Sequence, residues 1–168
     1  MTEAEASAGA GEASTYNLLF VCTGNTCRSP MAAAVARSAL ARRGWQHVAV
    51  QSAGVGALAG SPAAENAVVV ADEAGLDLAG HEAQALTPEL VEWADLILGM
   101  SPSHLLGVAD MGGAPKVALI TDFMDGPELG QPIQDPFGGD VQTYRRTLGQ
   151  IERAVEGILQ RLEPILAP

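Results

Sequence analysis

The sequence predicts an α/β domain built on an open four-stranded parallel sheet with helices on both faces. Two observations support this prediction. Short apolar runs alternate with runs of helical pattern, which is the element order of a parallel sheet with right-handed crossovers. The chain has 168 residues, a length that suits one domain with one hydrophobic core.

The first three elements follow from local signals. An apolar run over 17–21 predicts a short strand buried on both sheet faces. A helix is predicted over 29–43, because Pro30 suits its first turn and Gly44 suits its end. Residues 47–52 alternate in polarity and predict the second strand.

The same alternation continues to the end of the chain. Gly75 ends a helix predicted over 62–74, and Thr87 with Pro88 provides the cap and first position of a short helix. A loop rich in Pro, Gly and Asp is predicted over 121–139. Two further strands are predicted at 95–99 and 116–119, and between them a helix begins at the Ser-Pro pair of 101–102. A long amphipathic helix is predicted over 140–162.

Charge and composition exclude several classes of function. The net charge of −11 argues against electrostatic binding of nucleic acid or of an anionic membrane surface. No apolar run approaches the length of a membrane span. Residues 1–16 contain three glutamates and no basic residue, so we predict a disordered acidic leader rather than a signal peptide, followed by one domain over 17–168. We therefore expect a cytoplasmic protein, and we expect it to be a monomer.

The most informative stretch is Cys22-Thr-Gly-Asn-Thr-Cys-Arg-Ser29, which follows the first strand and leads into the first helix. Backbone N–H groups in such a loop point inward and form a concave anion site. Gly24 and Asn25 are residue types that allow the tight turns this requires. Arg28 has the planar fork that grips two phosphoryl oxygens. We therefore predict that Thr23, Gly24, Asn25, Thr26, Cys27, Arg28 and Ser29 bind phosphate.

The chain has two cysteines, and both lie in this loop. A helix N-terminus and a positive bowl favour the thiolate form of Cys22, so we predict that it attacks phosphorus and forms a phosphocysteine. Ser29 can donate a hydrogen bond to the sulfur when it departs. Cys27 is open to two interpretations, a small packing residue or a thiol that captures oxidised Cys22 as a disulfide. No second thiol pair stands at a zinc-ligand spacing, and we expect neither a metal nor a cofactor.

The loop, extended to Pro30, resembles the active-site loop of the low-molecular-weight protein tyrosine phosphatases, and the resemblance covers about 17–162. It implies their flavodoxin-like fold and phosphorylated protein substrates. It also implies that Asp135, in Asp135-Pro136, is the general acid and then the base. Composition alone leaves three competitors for that role, Asp122, Asp125 and Asp140.

Two more positions resemble the family's supporting residues. Ser52 is similar to the serine that holds the loop asparagine, here Asn25. His81 is similar to the histidine of the same network. Both residue types are also common as a strand-end serine and a structural histidine, so these roles rest on the resemblance.

Thr26 is the residue that bears on the substrate. Tyrosine-directed members of the family usually carry an aliphatic residue there, whereas the protein-arginine phosphatases carry Thr. A rim hydroxyl can hydrogen-bond a planar guanidinium group, whereas a methyl-rich rim favours an aryl ring. We therefore predict phosphoarginine as substrate and keep phosphotyrosine as the alternative, since Thr26 could also cap a local N–H group.

Two other classes compete with a phosphatase. A thioredoxin-coupled arsenate reductase shares the loop but needs further cysteines, and this chain has none after Cys27. A phosphate-binding or redox-sensing module would need no acid at position 135, and a redox switch would need no Arg28. The presence of both residues favours a cysteine-dependent protein phosphatase.

Overall fold

A computed structural model describes residues 16–167, and its centre is a fully parallel sheet with the strand order β2-β1-β3-β4. The predicted fold class is thereby confirmed. The strands, in chain order, are β1 (Tyr16–Cys22), β2 (Val48–Gly54), β3 (Leu96–Gly99) and β4 (Val117–Leu119).

In the described part of the chain, five α-helices connect and cover the strands: α1 (Arg28–Arg43), α2 (Glu65–Glu73), α3 (Pro88–Trp93), α4 (Pro102–Asp110) and α5 (Val141–Leu166). Short 3₁₀ turns lie at Ala114–Lys116, Ile120–Phe123 and Gly126–Glu128, the last two in and beside the predicted 121–139 loop. Within residues 16–167, none of the helices is both long and apolar enough to cross a bilayer.

The alternation of β1 side chains divides the core into two layers. Leu18 and Phe20 belong to the larger apolar cluster, which includes residues of α1, α2 and α5. Leu19 and Val21 belong to a smaller cluster with residues of α3 and α4. All four side chains are fully buried, as expected of an interior strand covered on both faces of the sheet.

Several element boundaries differ from the predictions. Tyr16, the last residue of the predicted leader, begins β1, while residues 1–15 lie outside the described residues. The segment predicted as a helix from 62 begins as a bridge between Pro62 and Glu82, and α2 starts only at Glu65. The last helix continues through Pro164, because Leu166 is buried and its carbonyl oxygen lies 2.7 Å from His47 Nε2.

The chain order places a switch point at the carboxyl end of β1. The chain moves from β1 to β2 on one side and returns to β3 on the other. Open α/β sheets bind ligands at such a point. Cys22 is the last residue of β1, so the predicted loop lies where this topology favours a site.

Candidate active site

Asn25 holds the loop between β1 and α1 in its curved shape. It has φ of +56°, the one positive φ among the described non-glycine residues, and it is fully buried. Such a conformation costs an asparagine little, but it still needs support from its surroundings. Three other residues supply that support.

The support comes from both the amide and the backbone of Asn25. Its Oδ1 accepts a hydrogen bond from the Gln84 N–H (2.9 Å), which fixes the amide orientation. Its Nδ2 then donates to Ser52 Oγ (2.9 Å), and its backbone oxygen lies 2.7 Å from His81 Nε2. The two residues predicted from the resemblance, Ser52 and His81, therefore both contact Asn25, and Gln84 is a partner that the sequence did not indicate.

Ser29 connects this network to the sulfur of Cys22. Asn25 Nδ2 donates its second hydrogen bond to Ser29 Oγ at 2.8 Å. Because that bond makes the Ser29 oxygen an acceptor, the hydroxyl proton has two acceptors within reach, Cys22 Sγ at 2.8 Å and the Ala53 carbonyl oxygen at 3.5 Å, and the shorter contact favours the sulfur. Cys22 is buried, and its side chain is thus held by a donor at the base of the loop.

A close backbone approach fixes the neighbouring strand end. A Cβ atom added at Gly54 would lie 2.4 Å from the Thr23 carbonyl oxygen and 2.9 Å from the Asn25 nitrogen. The register pairs Cys22 with Gly54, so glycine is required where β2 meets the loop.

Arg28 lies in the first turn of α1 and is only 6% exposed. Its Nη1 donates to the carbonyl oxygen of Ile133 (2.9 Å). Its Nε has no hydrogen-bond partner among the described residues, although it is buried. A buried guanidinium N–H is costly to leave unpaired, so this atom indicates a ligand oxygen.

Asp135 lies beside this arginine, with Oδ2 3.7 Å from Arg28 Nη2 and about half of its side chain exposed. Its Oδ1 accepts from the Phe137 N–H (3.1 Å), which orders the start of the Asp-Pro loop. Two of its competitors have structural contacts: Asp122 Oδ2 accepts from the Leu119 N–H, and Asp140 caps α5. The third, Asp125, is exposed at the start of a 3₁₀ turn.

Cys27 is buried, and its sulfur lies 3.3 Å from the hydroxyl of Tyr144 on α5. Burial raises the pKa of the Cys27 thiol, and the Tyr144 hydrogen bond opposes this only in part. Burial likewise raises the pKa of Tyr144. Cys27 is therefore protonated under conditions where Cys22 would act, and Tyr144 is a second partner missed from the sequence.

Thr26 lies at the rim of the loop and is half-buried. Its backbone oxygen accepts from the Ala64 N–H (2.9 Å), and its hydroxyl is 3.8 Å from Cys27 Sγ. A Cβ atom added at Gly24 would lie 3.6 Å from Thr26 Oγ1, which is an ordinary van der Waals contact. Within residues 16–167, the Thr26 hydroxyl thus has only this long contact with a sulfur atom.

The same residues contain no group of three or more His, Cys, Asp or Glu side chains that could hold a metal ion.

A buried cysteine and an arginine N–H without a partner within residues 16–167 lie on one curved loop at a sheet switch point, which is the arrangement expected of a phosphate site. The comparisons agree with this class. Residues 17–165 match the model of the low-molecular-weight phosphotyrosine protein phosphatase family, and the chain belongs to that family. The family predicted from the sequence is confirmed.

Relatives of two named activities are equally similar to the chain. A protein-arginine-phosphatase of Geobacillus stearothermophilus is 36% identical over 150 residues, covering 88% of this chain and 97% of the relative. The low-molecular-weight protein-tyrosine-phosphatase Etp of Escherichia coli (strain K12) is 37% identical over 147 residues, covering 87% and 94%. Overall identity therefore does not distinguish an arginine from a tyrosine phosphatase.

A solved structure also resembles this fold closely. The YwlE arginine phosphatase, in a mutant with a phosphorylated active-site serine, superposes with a TM-score of 0.82 at 35% identity, covering 89% of this chain and 97% of that chain. In that protein, a mutated nucleophile position carries the phosphoryl group. This agrees with a family mechanism that passes through a phosphoenzyme.

Proposed function

We propose that this protein is a cysteine-dependent protein phosphatase that hydrolyses phosphoarginine side chains through a phosphocysteine intermediate on Cys22. The observation that carries the proposal is the buried Arg28 guanidinium, whose Nε lacks a partner within residues 16–167 while its Nη1 is tied to the Ile133 carbonyl. Two phosphoryl oxygens are the ligand that this fork fits. Cys22, Arg28 and Asp135 are the proposed catalytic residues.

In the first step, the Cys22 thiolate attacks phosphorus in line, and an S–P bond forms while the bond to the leaving group breaks. The Asp135 carboxylic acid gives its proton to the leaving nitrogen or oxygen. Arg28 and the backbone N–H groups from Thr23 to Ser29 hold the three equatorial oxygens, so positioning and electrostatics supply most of the rate.

In the second step, water attacks the phosphocysteine and the Asp135 carboxylate takes a proton from it. The S–P bond breaks, inorganic phosphate forms and the thiolate departs. The Ser29 hydroxyl, 2.8 Å from the sulfur, stabilises the charge that returns to Cys22. Asn25 keeps Ser29 and the loop in this arrangement through the network with Ser52, His81 and Gln84.

Two features support phosphoarginine as the substrate. Thr26 puts a hydroxyl on the rim, which can pair with a guanidinium N–H and not with an aryl carbon. The segment after the acid reads Asp135-Pro136-Phe137-Gly138-Gly139, without the tyrosines that tyrosine-directed members often carry there. The arginine-phosphatase names among the relatives agree with this choice.

Phosphotyrosine is the second candidate, and Phe137 is the observation that favours it. This side chain is 74% exposed and lies two residues after Asp135. An exposed ring beside the acid could stack on an aryl substrate. Thr26 and Phe137 thus favour different leaving groups.

Comparison of kcat/KM on a phosphoarginine protein and on a phosphotyrosine peptide tests the substrate. We expect the wild type to prefer phosphoarginine. Thr26→Ile should lower the phosphoarginine-to-phosphotyrosine ratio by at least about tenfold, because it replaces a hydrogen-bonding rim with an aliphatic one. Thr26→Ser, which keeps the hydroxyl and removes only the methyl group, is the matched control and should keep the ratio of the wild type. A wild type that prefers phosphotyrosine would contradict the proposed substrate.

Oxidation tests the second role of the loop. Peroxide should convert Cys22 to a sulfenic acid, and the Cys27 thiol should then attack that sulfur, releasing water and forming a disulfide. A thiol reductant should restore activity. We expect Cys27→Ser to lose activity irreversibly under the same treatment, measured as the fraction recovered. Equal recovery of the variant and the wild type would show that Cys27 is not the resolving thiol.

The proposal also includes a monomer that acts on phosphorylated proteins in the cytoplasm. Both cysteines are free thiols in the structure, and a reducing compartment would keep Cys22 in its active form. Light scattering tests the oligomeric state, and cell fractionation tests the compartment.

A further inference from the structure

His104 is a buried histidine that touches the phosphate loop and is not used in the mechanism above. It is 1% exposed and lies in the first turn of α4. Its Nε2 is 2.9 Å from the hydroxyl oxygen of Thr23, the residue directly after Cys22. It is therefore a polar contact between α4 and the loop.

The hydrogen bonds of the ring fix its tautomer. Nδ1 lies 3.2 Å from the Met100 nitrogen and 3.1 Å from the Ser101 nitrogen, and both of those groups are donors. Because Nδ1 accepts, the proton of the neutral ring must be on Nε2. Nε2 therefore donates to Thr23 Oγ1. Burial, with a smaller effect of the Arg28 charge, lowers the pKa of His104 to about 4, so the ring stays neutral above that pH.

The Thr23 side chain is held by His104, which donates to its hydroxyl oxygen at 2.9 Å. The residue as a whole is exposed. Since one lone pair of Oγ1 is used by His104, the hydroxyl proton and the other lone pair are directed away from that ring.

Thr23 directly follows the proposed nucleophile Cys22, and Asp135 Oδ2 lies 3.7 Å from Nη2 of Arg28, which ends the same loop. The charges of Arg28 and Asp135 are both close enough to influence the pKa of His104, in opposite directions. Asp135 is the residue that would protonate the leaving group. The Thr23 hydroxyl, on the same loop as Arg28, is thus near the space that a leaving group would occupy.

We propose that His104 is a positioning residue that orients the Thr23 hydroxyl toward the leaving group, and that Thr23 is a second specificity determinant for a guanidinium. This inference rests on the proposed function. The remaining lone pair of Thr23 Oγ1 can accept a hydrogen bond from a guanidinium N–H. An aryl leaving group has no donor for it, so the contact favours phosphoarginine over an aryl phosphate.

The test compares kcat/KM on a phosphoarginine protein with kcat/KM on 4-nitrophenyl phosphate. Thr23→Val keeps the shape and removes the hydroxyl, and should lower the ratio of the two values about fivefold to tenfold, the size of one hydrogen bond. Thr23→Ser should restore the ratio to within about twofold of the wild type. A Thr23→Val ratio equal to that of the wild type would overturn the inference.

A double-mutant cycle tests whether His104 acts through Thr23. His104→Leu should lower the ratio as Thr23→Val does, and should lower it no further in the Thr23→Val background. His104→Gln, which keeps an N–H donor, should retain more of the ratio than His104→Leu. Thermal denaturation checks that each variant folds, and His104→Phe, which also lacks a donor, takes the place of His104→Leu in the cycle if His104→Leu does not fold. Independent effects in the cycle would overturn the positioning role.

The outcome for the wild type separates this inference from the proposed substrate. If the wild type prefers phosphotyrosine, the proposed substrate and the role of Thr23 as a guanidinium determinant are both wrong, and the cycle still decides whether His104 positions Thr23. If the wild type prefers phosphoarginine but Thr23→Val does not change the ratio of the two kcat/KM values, only this inference is wrong.

Discussion

Cys22→Ser should abolish turnover of every phosphorylated substrate while leaving the affinity for inorganic phosphate largely intact. The expected loss in kcat is at least about four orders of magnitude, because a serine hydroxyl is a far weaker nucleophile than a thiolate and its alkoxide is a poor leaving group in the second step. Phosphate affinity should persist, since Arg28 and the backbone N–H groups of the loop are unchanged. Steady-state kinetics and calorimetric titration with phosphate measure the two quantities.

Cys27→Ser is the matched control, because it makes the same exchange in the same loop. In the wild type, the Cys27 sulfur contacts the Tyr144 hydroxyl and takes no part in the hydrogen bond between Cys22 and Ser29. We expect its loss in kcat to be smaller than that of Cys22→Ser by at least about two orders of magnitude. If Cys22→Ser kept substantial activity, or if the two variants lost equally, Cys22 would not be the nucleophile.

Asp135→Asn should slow the enzyme to an extent that depends on the leaving group. For a poor leaving group such as phenol, kcat/KM should fall about 10²- to 10⁴-fold, the usual contribution of a positioned acid. For 4-nitrophenol the loss should be much smaller, because that leaving group departs without a proton. A series of aryl phosphates should therefore show a steep dependence on the leaving-group pKa in the variant and a shallow one in the wild type.

Asp125→Asn is the control for the loss of one carboxylate in the same segment, since Asp125 is exposed at the start of a 3₁₀ turn. It should leave the dependence on the leaving group as in the wild type. If Asp135→Asn lowered kcat/KM by the same factor for every aryl phosphate of the series, Asp135 would not be the general acid.

The sequence predicted the sheet well, because the sheet depends on local patterns, and the same kind of pattern indicates the loop at which we propose the site. The apolar run of β1, followed by Cys22 and the small residues of the loop, is enough to indicate a strand, an anion-binding loop and a helix start. The boundaries were less accurate where long-range contacts decide them. Leu166 extends α5 past Pro164 because its side chain is buried by distant residues, and no local signal reports that.

The residues that support the site were also hard to predict where their contacts join distant parts of the chain. Ser52 and His81 were found by resemblance, whereas Gln84 supports Asn25 through a backbone N–H, which any residue type could supply. The Ile133 carbonyl that holds Arg28 is likewise invisible in the sequence. His104 had a weak signal, its place three residues after Ser101, where its Nδ1 accepts the helix-start N–H. Its contact with Thr23 spans 81 residues and needs the fold.

The central claim is that hydrolysis passes through a phosphocysteine on Cys22, and rapid-quench kinetics of Asp135→Asn with 4-nitrophenyl phosphate tests it most directly. In this variant the first step needs no acid, but the second lacks its base, so the intermediate should accumulate. We predict a burst approaching one equivalent of 4-nitrophenol per active site, with radiolabelled phosphate on Cys22. Linear product release without a burst, or label on another residue, would contradict the mechanism.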